Sequence, residues 1–425
     1  MSGAGWLRDL FLLDPDVIFL NHGAFGACPR PVFEVYQSWQ RELERQPVEF
    51  LHTGRRFKTL MREAREALAA YVGADPDDLA YVTNATTGLN IVARSLPLEP
   101  GDEVLATDHE YGAIDFTWQF VCERRGARYI RAPLSVRVRS AQDIVEAIWQ
   151  HVTPRTRVLA VSHLTSPTAL ILPVADLVRR AREHGIISVI DGAHAPGQIP
   201  VHLETLSADF YVANCHKWMC APKGSAFLYA RRKAQPLLRP LVVSWGWRNG
   251  FLEEQEWQGT RDIAAFLATP AAIDFLRSPA WAGVPSVCHA LARDARTVIL
   301  ALTGLPPLCP DGPEWYAQMV SLPLPLADGE ATQQRLYAEG KIEVPIMTWN
   351  DRVAPYLRPG IQHAGGHRRP DLCSGGLARR TVPLRLGGRG AAEKPSLCPS
   401  TMLSCWDSAG WVAPPLTIWP AAAGV

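Results

Sequence analysis

The chain has 425 residues, 47% hydrophobic and 20% charged, with Lys+Arg 43 against Asp+Glu 42. That length suits two or three domains, or one large α/β domain with a smaller companion, at ordinary globular composition. A formal charge of +1 sets up no global field for nucleic acid or an anionic membrane, so a small molecule or a protein is the expected partner.

The start, "MSGAGWLRDLFLLDPDVIFLNHG", has an apolar patch broken by Asp14, Pro15 and Asp16, without the basic region or cleavage pattern of a signal peptide. No run approaches the ~20 apolar residues of a membrane span. Nine cysteines, an odd number with no framework, fit a reducing compartment. The expectation is a soluble cytoplasmic enzyme.

Residues 32–72 read as helix, because "VFEVYQSWQRELER" and "FKTLMREAREALAAYVG" repeat apolar residues at i, i+3, i+4 and i+7, and Gly73 supplies a stop. From about 79, strand and helix alternate. The apolar runs in "LAYVTNATTG", "GDEVLATDHEY", "ARYIRAPL", "TRVLAVSHLT", "GIISVIDGAHA", "ADFYVANCHKW" and "SAFLYAR" predict strands, and "AQDIVEAIWQHV" and "VADLVRRAREHG" predict helices. This alternation predicts an α/β fold with a doubly wound, mainly parallel sheet. In such sheets the ligand lies beyond the carboxyl ends of the strands, so "TNATTG", "DHEY", "SHLTS", "DGAHA" and "NCHKW" should meet on one rim. After 262 the pattern turns helical, then gives short strands near "QMVSLPLP" and "KIEVPIMTW" around a helix "DGEATQQRLYAEG", as in a smaller α+β domain.

"ANCHKWMCAPKG" poses the chemical question. Cys215-His216-x3-Cys220 is not a zinc-finger or ribbon spacing, and no second CxxC completes four ligands, so no metal is expected. Lys217 is different. A lysine at a strand end among apolar neighbours loses hydration, which favours the neutral, nucleophilic amine that Schiff-base chemistry requires. The carbonyl cofactor held this way is most often pyridoxal phosphate. It needs an acid against its ring nitrogen, donors for its phosphate, a partner for its phenolic oxygen and a flat group against its ring. Asp191 follows an apolar strand 26 residues before Lys217; Thr86 and Thr87 open a helix, where free N–H groups suit a phosphate; His109 offers a flat ring.

In the order "NHGAFG … TNATTGLN … DHEY … SHLTSPTA … DGAHAPG … CHKW … PKG", residues 16 to 358 resemble the class V, fold-type I pyridoxal-phosphate aminotransferase family. "FLNHGAFGACPRPV" and "SHLTSPTALILPV" are similar to its isopenicillin N epimerase-like subgroup. The resemblance implies the cofactor pyridoxal 5'-phosphate, a small amino-acid-type substrate and a homodimer with shared active sites. It implies Lys217 as the Schiff-base lysine, Asp191 at the ring nitrogen, His194 at the phenolic oxygen and His109 stacked on the ring. Thr86, Thr87, His216 and Asn214 would hold the phosphate, and Thr260 would reach the neighbouring subunit's phosphate. Arg358 would clamp the substrate carboxylate, and Asn21 and His22 would line the substrate pocket. Ser166 stands where many relatives carry asparagine near the phenolic oxygen, which weakens a transaminase expectation. The reaction would begin at the substrate Cα and proceed to epimerisation, loss of a sulfur substituent or amino transfer. A desulfurase would need a cysteine on a loop before the arginine; Cys309 lacks that context and Cys373 follows Arg358. A Rossmann nucleotide binder ranks last, for want of a GxGxxG turn.

The expected organisation is an N-terminal segment 1–31 lining the site, a large cofactor-binding domain 32–261, a small domain 262–358 and an anomalous tail 359–425. The tail holds 10 of 32 glycines and 8 of 35 prolines, no phenylalanine or tyrosine, and no helical or strand period. Freely chosen codons for "IQHAGGHRRPDLCSGG", read one nucleotide later, spell an aromatic-Asn turn and an amphipathic helix. The tail therefore reads as out of frame, leaving the small domain incomplete. A catalytically impaired member of the family is the alternative that this raises.

Overall fold

The computed structural model describes residues 8–134, 137–325 and 328–347, and the backbone of 356–357. Arg358 and the tail 359–425 lie outside the described residues.

Seven strands form the main sheet: β2 Leu79–Val82, β3 Glu103–Thr107, β4 Arg128–Ala132, β5 Thr156–Ser162, β6 Ile187–Asp191, β7 Phe210–Asn214 and β8 Ala226–Ala230. Their order is β2-β8-β7-β6-β5-β3-β4, and β8 alone runs against its neighbours. Helices make the crossovers that parallel pairing requires: α4 Ala85–Ser95 follows β2, α5 Gly112–Arg125 follows β3, α6 Ala141–Trp149 follows β4 and α7 Val174–Glu183 follows β5. The earlier helices are α1 His22–Phe25, α2 Arg30–Arg45 and α3 Arg56–Val72, the last closed by left-handed Gly73 as its sequence predicts.

Alternation within one strand builds both faces of the core. In β7, Phe210 and Val212 join Leu89, Val92 and Trp118 on one face, while Tyr211 and Ala213 join Leu60, Met61 and Leu68 on the other. That second core continues past residue 262: Phe266, Ala272, Ile273, Leu322 and Ile346 belong to it. Beyond lie α8 Thr269–Arg277, α9 Val284–Thr303 and α10 Gly329–Gly340, with an antiparallel sheet ordered β11-β12-β9 from β9 Leu322–Pro323, β11 Ile346–Met347 and β12 Tyr356–Leu357. The N-terminal segment crosses over to this part. Its strand β1 Ile18–Phe19 pairs parallel with β10 Ile342–Glu343, and Asn21 Nδ2 donates to Glu343 Oε1 at 2.9 Å.

Because β2, β3, β5, β6 and β7 all point the same way, their carboxyl ends share one edge. Thr83, Thr107, Ser162, Asp191 and Asn214 are brought together there by topology, not by sequence proximity.

Candidate active site

A cavity of about 340 Å³ opens at that edge. Ser162, Asp191 and Asn214, each the last residue of its strand, line it together with Thr83, Asn84, Ala85, Thr86, Ser166, His194, His216 and Lys217. Phe25, Tyr111, Ile114 and Leu164 add an apolar side.

Lys217 lies on the turn between β7 and β8, and the N-terminal segment holds that turn from outside. His22 Nε2–H donates to the Lys217 carbonyl at 2.8 Å, and the Lys223 amine donates to the Gly26 carbonyl at 2.9 Å. Gly26 has φ +70°, and a Cβ there would stand 1.9 Å from the His216 carbonyl oxygen, so only glycine lets the two segments close.

The lysine amine sits 3.1 Å from His194 Nε2, while the Trp218 indole N–H donates to His194 Nδ1 at 3.2 Å. An indole can only donate, so Nδ1 carries the lone pair and a neutral imidazole bears its proton on Nε2. That proton points at Nζ, which accepts it only as an unprotonated amine. The geometry therefore favours the nucleophilic form of Lys217. Across the cavity, burial raises the pKa of Asp191, a rise that only a protonated Lys217 would oppose; its Oδ1 accepts the Ala193 amide at 2.9 Å.

The start of α4 forms the polar end. Asn84 is the N-cap and accepts from the Thr87 amide at 2.8 Å; the Ala85 amide donates to Asn214 Oδ1 at 2.9 Å. His216 Nδ1–H donates to the Ser225 carbonyl at 3.0 Å, and burial lowers its pKa to about 4. With Nδ1 committed and Cys215 buried, this stretch offers packing and a neutral imidazole. Among the described residues no group of three or more His, Cys, Asp and Glu side chains could hold a metal.

Thr86, Ser166, Asp191, His194, Asn214, His216 and Lys217 are brought together as the sequence predicts, and several other expected residues are not. His109 does not line the cavity. It is fully buried behind it, with Nδ1 2.7 Å from Thr168 Oγ1 and a pKa lowered to about 3 by burial; the ring at the cavity is Tyr111, two residues on. Thr87 also turns away, since its amide and hydroxyl are both spent on the Asn84 cap. Asn21 and His22 stand behind the wall: one ties down β10, the other the Lys217 turn, and Ala24 and Phe25 face the cavity instead. Thr260 is exposed and absent from this cavity. Arg358 lies outside the described residues. Sequence reading missed Thr83, Asn84, Ala85, Tyr111, Ile114, Leu164 and Phe25. An asparagine one residue before a helical small-residue run is a cap signal, so Asn84 was within reach.

The model of the family Aminotransferase class-V matches residues 18–345. The chain belongs to this family. Among individual proteins it is similar to isopenicillin N epimerase of Streptomyces clavuligerus, 36% identical over 365 residues that cover 81% of this chain and 91% of the epimerase. It is also similar to a probable chloroplastic L-cysteine desulfhydrase of Arabidopsis thaliana, 29% identical over 360 residues covering 78% and 75%. A C-DES variant with glycine covalently linked to its PLP cofactor has the same fold, at TM-score 0.71 and 23% identity, covering 83% of this chain and 94% of that one.

Proposed function

We propose that this class-V chain is a pyridoxal 5'-phosphate enzyme acting at Cα of an amino-acid-type substrate, by epimerase-like or C–S lyase-like chemistry. The observation that carries the reading is the unprotonated-amine geometry of Lys217 against His194, across a cavity from buried Asp191. The donor set fits the cofactor: a nucleophilic amine, a buried acid, a helix N-terminus and a hydroxyl and imidazole pair surround one cavity. When bound, the cofactor supplies an electron sink for charge developing at the substrate Cα.

The protein's own groups divide the remaining work. Asp191, at a rigid strand end, would face the ring nitrogen and favour its protonated form. Ser166 and His194 would serve the phenolic oxygen, and the Tyr111 ring would take the stacking role assigned above to His109. The first turn of α4 with Thr86 would receive the phosphate, while Asn84 and Asn214 hold that turn in place. His216, with Nδ1 held by Ser225, would offer Nε2 to the phosphate and would donate there only if the phosphate's charge favoured its protonated form. Lys217 would hold the cofactor through Nζ, and the same amine, once the substrate amino group has displaced it, would accept or return the Cα proton. Arg358 remains the proposed carboxylate clamp.

Epimerisation and C–S cleavage share their first proton transfer and differ in what happens on the other face of Cα. A desulfurase would need a thiol at the cavity. Among the described residues no cysteine lines it, and burial pushes the Cys28, Cys215 and Cys309 thiols up to about 11 or 12. Amino acids and small peptides incubated in heavy water with the purified protein should exchange Cα–H, read by NMR. Inverted substrate identifies an epimerase; sulfide and a keto acid identify a lyase. A colourless protein that takes up no cofactor would overturn the reading in favour of a catalytically impaired family member.

We further propose a cytoplasmic homodimer. Thr260 would serve a second copy's phosphate, and its exposure in the single chain suits that role. The segment 241–247 exposes Val243 at 65% and Trp245 at 87%, apolar side chains that a second copy would cover. Sedimentation should give twice the chain mass. The six described cysteines are free thiols, and no described helix is long and apolar enough to cross a membrane. For the tail, the proposal of a frame change near codon 358 fails if no insertion or deletion in the nucleotide sequence restores a strand, turn and helix.

A further inference from the structure

One buried acid beneath the cavity has no part in the chemistry above. Glu110 follows β3, and its carboxyl is enclosed by hydroxyls: Thr107 Oγ1 lies 2.6 Å from Oε1 and Ser162 Oγ lies 2.5 Å from Oε2. Thr107 Oγ1 also accepts the His109 amide at 3.1 Å, which leaves its own proton for Glu110. Ser162 has a choice. It ends β5 in register with Asp191 on β6, and both residues line the cavity. Its single proton can point at Glu110 or turn out into the cavity on the side of Asp191, but not both.

The state of Glu110 decides which. An ionised carboxylate draws the Ser162 proton to itself, and the serine then presents only lone pairs to Asp191. A carboxylic acid places its own proton on the Oε2···Oγ line, and the serine proton turns outward. The charged groups that act on Glu110 are both acidic, Asp191 from β6 and Asp115 from α5. Asp115 is in turn bonded by the Tyr129 hydroxyl from β4 and lies 3.6 Å from Arg131. Two close buried carboxyl groups do not readily both ionise, so an ionised Asp191 leaves the proton on its neighbour. Burial pushes the Glu110 carboxyl up to about 8, against the opposing pull of its two hydroxyl partners.

We propose that Glu110 is a positioning residue: it stores a proton under the cavity floor and so turns the Ser162 hydroxyl toward Asp191. A hydroxyl dipole whose positive end faces Asp191 favours the ionised form of that carboxyl. This consequence for the cofactor ring rests on the reading of Asp191 given above, whereas the proton on Glu110 does not. The sign with pH follows. Because the folded pKa lies above the ordinary value, stability from Glu110 is complete below about pH 4.5 and is lost as pH rises through about 8.

Infrared difference spectroscopy on the full-length, cofactor-free protein, with glutamate labelled at the side-chain carboxyl carbon, tests the stored proton. A carboxylic-acid band should be present near pH 6, disappear with a midpoint near 8, and be missing from Glu110→Gln. Ser162→Ala removes a bond that favours the ionised form, so it should move the midpoint upward. Absence of a labelled acid band that Glu110→Gln removes overturns the proposal. In the cofactor-loaded protein, Glu110→Gln should hold the visible band in the wild type's low-pH form across the range, because its amide always donates to Ser162. Glu110→Ala neither donates to Ser162 nor draws its proton, so its visible band should likewise show no transition near the wild type's midpoint. If wild type and Glu110→Gln instead change alike with pH, the link from Ser162 to Asp191 is overturned. If no visible band forms at all, the cofactor reading fails while the infrared result still decides the proton.

Discussion

The floor of the cavity and its rim are built on different principles. Ser162, Asp191 and Asn214 are the last residues of three adjacent strands and each is held in a ladder: Ser162 pairs with Asp191, Asp191 also with Val212, and Asn214 with Ala226. The rim is borrowed. Phe25 comes from the N-terminal turn and Tyr111 from the approach to α5, and they remain 74% and 48% exposed. Fixed polar groups suit a ligand that is always the same, and exposed apolar groups suit one that comes and goes. The comparison therefore assigns the floor to the cofactor and the rim to the substrate. Variants in the two regions should separate along that line.

The largest effect is expected on the floor. Asp191→Asn removes the negative charge opposite the ring nitrogen but keeps the shape. Cofactor should still bind and give a visible band, while Cα–H exchange falls by about 10²–10³-fold, the scale of losing one preorganised electrostatic partner. Exchange at the wild-type rate would break the assignment of this residue.

Between floor and rim lies the clamp at Gly26. Gly26→Ala combines a left-handed backbone with a Cβ 1.9 Å from the His216 carbonyl, so the N-terminal turn must move off the Lys217 loop. Thermal or denaturant unfolding should show a loss of about 1–3 kcal/mol, with weaker cofactor uptake as the signature that the lysine turn has shifted. Asn84→Ala is milder. It deletes the cap of α4 and should cost about 0.5–2 kcal/mol, with cofactor affinity falling because the Thr86 turn loosens. An unchanged affinity in either variant would uncouple that segment from the site.

The floor was also the legible region. A polar residue placed straight after an apolar run marks a strand end, and parallel topology then gathers such ends whatever their separation in sequence. Asp191 follows from that rule, Lys217 lies on the turn just beyond such a strand end, and Asn214 comes through the family resemblance. Finer choices needed angles that a sequence does not carry. Adjacent helical residues differ by about 100° in direction, so of Thr86 and Thr87 only the first faces the cavity and the second returns to its cap. "DHEY" holds two rings, and the turn after β3 buries His109 and presents Tyr111. Asn21 and His22 depend on a four-residue helix and on pairing with residues more than 300 positions away, which no local pattern announces.

The smallest effect belongs to the rim, and it is the sharpest test of the comparison. Phe25 is exposed and belongs to none of the core clusters, so Phe25→Ala should change stability by less than about 0.5 kcal/mol. Its visible band and cofactor affinity should match those of the wild type, because no polar floor group touches the change. A substrate whose apolar side chain rests on that ring would lose roughly 1–3 kcal/mol of binding, seen as a raised KM with kcat retained. A small substrate such as alanine should not notice. If kcat falls for large and small substrates alike, Phe25 is holding Lys217 in place through the Gly26 clamp, and floor and rim act as one unit.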